Sequence, residues 1–436
     1  MPTLRPFRGL GYALDRHASP SPPGMRIADL TDVVCPPYDV ITPAEQAELL
    51  ERSEHNAVRL ELSAEQDPHA AAAAALRAWQ ADGTLERRAE RSAYYYRYAR
   101  PAAPDEPAVH GVVARLLLEP FGAGVRAHEH TLAGPKADRL ALLHATRTQL
   151  SPILALYFDR SARYDHVMGL PWTDEWRARD GDGLLHSLAA VEPDERLLHH
   201  LSRQQLYIAD GHHRYETALA YQAAVRANPE LADAEPGSLA ADWVMAVLVN
   251  AEREELEIQA THRLIRDADA DALRSLVRDP GPIWEAIPVP PRQLAARLAE
   301  AQTADQPVFG LVLPGDEGFL LVGDPEAADE RMRREPRSAA VRRLDLAILH
   351  AAVFDDRLGI DAASVATGNA LAYTRSEADA IRAVASGEAK AAILVRPTRL
   401  EQLAAVASAG DVMPQKSTYF YPTLLTGLVF YPLEDE

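Results

Sequence analysis

The chain has 436 residues, 47% apolar and 25% charged, which is the balance of a globular protein with enough hydrophobic content for a sizeable core; at about 150 residues per domain it holds two or three domains. Its formal charge of −19 repels polyanions and disfavours a general nucleic-acid- or membrane-coating role, while leaving room for a local basic pocket. The single cysteine, Cys35, excludes a disulfide framework and any multi-cysteine zinc site.

In chain order, the opening MPTLRPFRGLGYAL carries an arginine inside its only apolar stretch and has no cleavage pattern of small residues, so it does not read as a signal peptide. A short strand over Asp32–Cys35 leads into a proline loop, 36–43, and a helix over Ala44–Arg52. A second short strand, Val58–Leu62, precedes an alanine-rich helix from Pro68 to Asp82. Ser92–Tyr98 and Ala108–Leu118 form a hairpin around the PAAPDEP loop. After a polar loop, 119–135, a helix covers Ala137–Gln149, and Pro152–Tyr157 is a strand. The charged stretch Pro171–Asp182 reads as an inserted loop or surface helix. Gln205–Ala209 is a strand, Asp210-Gly211 a turn, and His212–Ala227 a helix with Tyr215, Ala218, Leu219 and Ala223 on its packed face. Trp243–Asn250 is a buried strand.

From about Arg266 the composition shifts. Two helical stretches, a proline-rich link at Pro288–Pro291 and a hairpin Val308–Leu313/Gly318–Val322 are followed by helices near Leu344–Phe354 and Ser376–Ser386 and a strand at Ala391–Arg396. The expected division is therefore 1–265 and 266–436, without internal repeats, in the α/β class with α+β as the alternative. No window approaches the roughly 18 apolar residues of a membrane span, and a cytoplasmic location is expected.

Lysine occurs only at Lys136, Lys390 and Lys416, so 45 − 3 = 42 of the basic residues are arginine. Where arginine serves for any positive charge, a lysine points to a need for a compact ammonium on a flexible stem. Lys136 and Lys416 stand in the unusual polar strings GPKADR and MPQKST, whereas Lys390 lies in the bland GEAKAA.

Three strings carry candidate chemistry. In Leu206-Tyr-Ile-Ala-Asp-Gly-His-His-Arg214 a strand runs into a turn and a helix opens on basic residues. Helix N-termini present unpaired N–H groups and partial positive charge, so they bind anions, and His212, His213 and Arg214 there oppose the dipole unless an anion compensates. Gly211 permits close backbone approach, Arg214 can grip a phosphate, and Asp210 can hold Mg²⁺ or take a proton from a hydroxyl. Without a ligand, Asp210 would be a helix cap and the histidines polar surface.

In Arg126-Ala-His-Glu-His-Thr131 and Gly134-Pro-Lys-Ala-Asp-Arg139, His128 and His130 share one face of an extended segment and Glu129 the other. Four imidazoles, with His212 and His213, could form a metal site, but Arg126, Lys136, Arg139 and Arg214 would crowd a dication and favour phosphate. In Asp411-Val-Met-Pro-Gln-Lys-Ser-Thr418, Lys416, Ser417 and Thr418 have phosphate-loop chemistry without the glycines of that motif. The rigid loop Cys35-Pro-Pro-Tyr-Asp39 either presents Asp39 to a pocket or is a structural turn, and Cys35 reads as a buried structural thiol.

The strings PFRGLGY, VVCPPYDVI, HEHTLAGPKADR, LYIADGHHRYETA, LAYTRS and MPQKSTYFYPTLLTGL together resemble a bacterial and archaeal family known only as domain of unknown function ten-fifteen, over Pro6 to near Leu428. The Asp-Gly-His-His-Arg string is also similar to the phosphate-binding signature of the ParB/sulfiredoxin superfamily, which includes partition proteins, sulfiredoxins and kinases of free serine that use ADP or pyrophosphate. That likeness implies a ParB/sulfiredoxin-like core over 1–265 with a further α/β region over 266–436 contributing the MPQKST loop. It implies a phosphate cradle of Gly211, His212, His213 and Arg214. His212 stands where sulfiredoxin's reactive cysteine would be, and the charge of −19 and lack of a helix-turn-helix speak against partition.

The leading expectation is a Mg²⁺-assisted phosphotransferase acting on a small hydroxylated metabolite, such as free L-serine, with a nucleotide or pyrophosphate donor and no nucleic-acid or membrane partner. Lys136, Arg139, Arg214 and Lys416 would clamp phosphates, with His128, His130, Ser417 and Thr418 beside them; Asp210, Glu129 or His213 would handle the proton. The alternatives are a non-enzymatic nucleotide-binding regulator and a metal-dependent phosphatase or hydrolase.

Overall fold

The computed structural model describes every residue except 103–106, 130, 132, 162–163, 165–171, 302–305, 367 and 435–436. The class is mixed α/β, as the alternating patterns require. The chain falls into two compact units: residues 1–127, 131–257 and 422–436 form the first, and residues 128–130 with 258–421 form the second. Among the described residues no helix is long and apolar enough to cross a membrane.

The first unit is built on a mixed sheet. Its middle runs Leu185–Val191, Ala93–Ala99, Pro107–Leu117, Trp243–Asn250, Ile153–Tyr157 and Leu206–Asp210 in spatial order. Trp243–Asn250 is buried along its whole length, as expected for a strand covered on both faces, and pairs parallel with Ile153–Tyr157. Leu206–Asp210 pairs antiparallel with Ile153–Tyr157, so Asp210 lies opposite Leu154. The helix His212–Arg226 returns over the sheet and buries Tyr215 and Ala218 against Ile153, Leu206, Ile208, Val244, Ala246 and Leu248. Thr217 and Tyr221 are also buried, while Ala223 is exposed, so the packed face is rotated from the one the small residues suggested. The helix Ala133–Thr146 packs beside it, with Leu143 against Tyr221.

Several expected elements differ. Asp32–Cys35 is a turn, closed by Val33 and Val34 N–H groups donating to the Leu30 carbonyl, with Cys35 making one isolated bridge to Thr426. Val58–Glu61 is a short helix rather than a strand, because the Asn56 side chain accepts the Val58 N–H at 2.9 Å and the Ala57 carbonyl accepts from Leu60 and Glu61. Asp174–Arg179 is a strand between Arg26–Asp29 and Leu185–Val191. Its alternation is masked by Glu175, a fully buried carboxylate paired with Arg177 at 2.7 Å and Arg97 at 3.3 Å. The helix expected over 137–149 spans Ala133–Thr146 and ends where Arg147 turns to φ +49°.

The second unit carries a sheet in the order Trp284–Pro288, Glu317–Gly323, Val308–Leu313, Ala391–Leu394, His262–Ile265 and Leu371–Thr374, antiparallel throughout. Leu264, Val312, Ala392 and Leu394 meet Leu294 and Leu298 from one helix and Ala380 and Val384 from another. The helix expected near Leu344–Phe354 is α-helical over Asp345–Leu349 and widens into a π-helical stretch over His350–Asp355.

Two histidines of this unit stay neutral far below their ordinary range. Burial, then the Arg263 charge, lowers His262 to about 4 and His350 to about 3. His262 accepts the Val395 N–H on Nδ1, and that bond requires the unprotonated ring. In the unfolded chain both rings take protons near pH 6.5, so acid favours unfolding from there down to the folded values. Unfolding free energy measured against pH is expected to fall as pH drops from about 6.5 toward 4, and His350→Phe is expected to remove part of that slope; a flat profile above pH 5 contradicts it.

Candidate functional site

The candidate residues divide between the units. Asp210, Gly211, His212, His213, Arg214, Lys136 and Arg139 belong to the first, and His128, Glu129, Lys416, Ser417 and Thr418 to the second. His130 lies outside the described residues.

In the first unit the strand–turn–helix forms as the residue types dictate. Gly211 takes φ +90°, a conformation that disfavours any side chain, and a Cβ there would lie 2.9 Å from Ile153 Cγ2 and 3.0 Å from Arg214 Nε. Arg214 occupies that space. It folds back over the turn, donating to the Asp210 carboxylate and to the Pro152 carbonyl, and its side chain is 12% exposed. Burial lowers its pKa but Asp210, Asp39, Glu61 and Tyr38 more than compensate, so it is raised overall. Arg214 therefore holds the turn as well as facing it. The Asp210 carboxylate, the expected magnesium ligand, is taken by that guanidinium and fits Mg²⁺ poorly. Among the described residues no group of three or more His, Cys, Asp or Glu side chains is placed to hold a metal ion, so the four-imidazole site is not formed by them.

The helix opening at His212 has no side-chain cap and no acidic residue in its first turn, and His212 is buried. The neighbouring helix brings Lys136 and Arg139 to it. Lys136 Nζ donates to Glu216 Oε2 at 2.7 Å, and the Thr131 hydroxyl donates to the same oxygen at 2.6 Å. These two bonds, with Lys136 and His213 as nearby positive charges, outweigh desolvation and lower the Glu216 pKa. The Lys136 side chain stays one-third exposed.

Arg139, by contrast, is buried. It donates to the Glu61 carbonyl at 2.9 Å and to Asp138 at 2.5 and 2.9 Å, lies 3.5 Å from the Glu61 carboxylate, and stacks over the Tyr38 ring at 4.2 Å. Burial, reinforced by Asp39, pushes the Tyr38 hydroxyl up to about 12. The Ser151 hydroxyl donates to Glu61 Oε1 at 2.8 Å. Arg139, Arg214, Glu61 and Ser151 together line a cavity of about 50 Å³, room for a few waters or one tetrahedral oxyanion. Glu61 and Ser151 were not singled out by sequence. The available signal was a carboxylate inside the apolar run Ala57–Leu62.

In the second unit, His128 Nε2 lies 2.9 Å from the Thr418 hydroxyl, and Glu129 Oε1 accepts the Lys416 N–H at 3.1 Å. Lys416 sits at φ +53°. Fully buried Arg263 donates to the Gln415 and Lys416 carbonyls at 3.2 and 3.0 Å, and Ser417 donates to Pro414 O at 2.6 Å. The MPQKST segment is thus a tied loop, with Glu129 holding its backbone. Burial lowers the Arg263 pKa to about 10. Cys35, in the first unit, is buried, which raises its thiol well above the ordinary value, as a structural cysteine requires.

A family model matches residues 4–347. The chain belongs to that family, described as protein of unknown function (DUF1015). No curated protein matches the sequence. Among solved structures, a conserved hypothetical protein from Pyrococcus furiosus is similar at 13% identity and TM-score 0.34, covering 69% of this chain and 89% of that one. A free serine kinase variant in complex with ADP is similar at 11% identity and TM-score 0.36, covering 70% and 90%. SbnI with a C-terminal truncation, from Staphylococcus aureus, is similar at 11% identity and TM-score 0.34, covering 72% and 85%. Superpositions this loose transfer no residue roles.

The DUF1015 chain's own geometry separates two kinds of cation. Arg139→Met leaves the Glu61 carboxylate buried beside an apolar chain and is expected to cost about 3–5 kcal/mol in denaturant unfolding, whereas Lys136→Met, at a part-exposed pair, is expected to cost under about 1 kcal/mol. Equal losses from both would show that the burial difference does not matter.

Proposed function

We propose that the first unit is the phosphate-handling part of a phosphotransferase acting on a small hydroxylated metabolite. The observation that carries this reading is the helix opening at Gly211–Arg214, where a glycine holds the cap position and three basic side chains follow, with Arg214 also lining a cavity shared by Arg139, Glu61 and Ser151. An oxyanion there would meet the Arg139 and Arg214 guanidinium groups, which their carboxylate and carbonyl partners already hold in place.

Phosphoryl transfer asks the protein chiefly to position groups and neutralise charge. Lys136 suits the neutralising role, because its ammonium can leave Glu216 for an incoming phosphate without stranding a buried charge. Arg139 and Arg214 act through their fixed positions, keeping the turn and the cavity wall in place. The proton of a substrate hydroxyl would go to Asp210, at the strand end, or to His213, in the first helical turn. The likeness of the Asp-Gly-His-His-Arg string to the ParB/sulfiredoxin signature supports a nucleotide or pyrophosphate donor and free L-serine as the acceptor to try first. Magnesium is supplied by no carboxylate cluster among the described residues, so a metal would come with the donor.

The test is phosphorus NMR of the full chain with ADP, ATP or pyrophosphate and a panel of hydroxy amino acids. Phosphorylated product is expected from wild type, and Lys136→Met is expected to lower turnover about 10²–10³-fold with an unchanged melting transition. Absence of any product across the panel overturns the proposal, and nucleotide binding without turnover replaces it by the regulatory reading.

A further inference from the structure

The second unit contains an open cavity of about 520 Å³ whose lining residues all belong to that unit. Small-molecule sites run from roughly 300 to 1,000 Å³, with mostly apolar walls and a few polar groups that fix orientation. Met332, Ile360, Val365 and Met413, all buried, give this cavity apolar walls, and methionine adapts its shape to a guest. A further wall is the π-helical stretch His350–Asp355, from which His350, Ala351 and Asp355 line the cavity. A π turn bonds residues five apart along the axis, so His350 and Asp355 come to one side. Such widened turns are rare and concentrate at functional sites.

The charge around this cavity is one-sided. Arg337 lines it, but its guanidinium is taken by Asp411 at 2.7 Å and by the Val412 carbonyl. His350 adds no positive charge, because burial and the Arg263 charge lower its pKa to about 3. Glu335 lines the cavity and shares Arg331 with Asp356, so two carboxylates answer to one guanidinium. Asp361 accepts the Ser364 N–H and hydroxyl at 2.8 and 2.7 Å, neutral donors that lower its pKa and leave its charge uncompensated. The Asp355 carboxylate has no ion pair or hydrogen bond among the described residues. Both aspartates are exposed, which puts them at the rim.

We propose that this cavity binds a small organic cation, a protonated amine on an apolar body, with the body between Met332, Ile360, Val365 and Met413 and the ammonium toward Asp355 and Asp361. Charge complementarity at the rim selects an amine over an acid of the same shape. The inference rests on the second unit alone and does not depend on phosphoryl transfer in the first.

The experiment is calorimetric titration of the full chain with benzylamine, cyclohexylmethylamine and hexylamine, and with the alcohol and carboxylic acid carrying each of the same apolar bodies. Saturable one-to-one binding of at least one amine is expected, tighter than its alcohol and acid and weakened by added salt. The double variant Asp355→Asn/Asp361→Asn is expected to weaken it about fivefold or more, through loss of two exposed charge contacts. Its melting transition is expected to stay in place, because asparagine at 361 still accepts the Ser364 N–H. Ala351→Leu, which fills part of the cavity, is expected to abolish binding. Binding of no amine, or of an alcohol or acid as tightly as its amine, overturns the proposal. So does amine binding indifferent to the double variant or to Ala351→Leu. Uptake that never saturates marks attraction to the −19 surface and overturns it as well.

Discussion

A guanidinium lying over a glycine governs the strand–turn–helix at the centre of the first unit. Because Gly211 has no Cβ and sits at φ +90°, Arg214 can settle on the turn and join the end of one strand, Asp210, to the start of its neighbour, Pro152. That fixes where the helix begins and how it leaves the sheet. Tyr215 then falls on the core, its hydroxyl donating to the Glu119 carbonyl at 2.8 Å, and Glu216 on the next position faces Lys136. Any side chain at 211 would meet both the dihedral penalty and the guanidinium. The places of His212, His213, Tyr215 and Glu216 follow from that turn.

The interior charge is organised by pairing. Arg226 is matched to fully buried Asp242 at 2.8 Å, Arg97 and Arg177 to Glu175, and Arg139 to Glu61 and Asp138. In a low-dielectric interior each pair offsets a desolvation cost that neither partner could bear alone. Arginine suits such pairing because one planar group can serve a carboxylate and carbonyls together, as Arg139 and Arg214 do. Arg263, in the second unit, shows the limit: held by carbonyls alone and fully buried, it has its pKa drawn down to about 10. The result is a fixed loop around Lys416.

Much of this was legible from residue order. Trp243–Asn250 and the helix from His212 form where periodicity and turn chemistry put them, and the strand read over Gln205–Ala209 lies one residue on, at Leu206–Asp210. Glu61 was not legible, because a valine–leucine run suggests a strand and the deciding bond comes from the Asn56 side chain. Nor was the strand at Asp174–Arg179, whose buried Glu175 depends on arginines from two strands. The basic residues of the two candidate strings were visible as a type, but their occupations were not. Whether an arginine faces a ligand or a neighbouring carboxylate depends on partners such as Glu61, distant in the chain.

The scarcity of lysine bears on that distinction. Lys390 donates to the Ala268 carbonyl at 3.2 Å, a bond that many cations could make. Lys416 contributes through its backbone, at φ +53° with its N–H on Glu129. Only Lys136 among the three pairs its ammonium with a carboxylate that a second donor, the Thr131 hydroxyl, would still satisfy if the ammonium moved away. A compact charge on a flexible stem, part-exposed and with its partner independently held, can change partners at small cost. Arg139 and Arg214 cannot, since each would leave a buried or turn-forming acid behind. Within the strand–turn–helix, then, the fold reserves its planar cations for its own structure and leaves the ammonium as the exchangeable one.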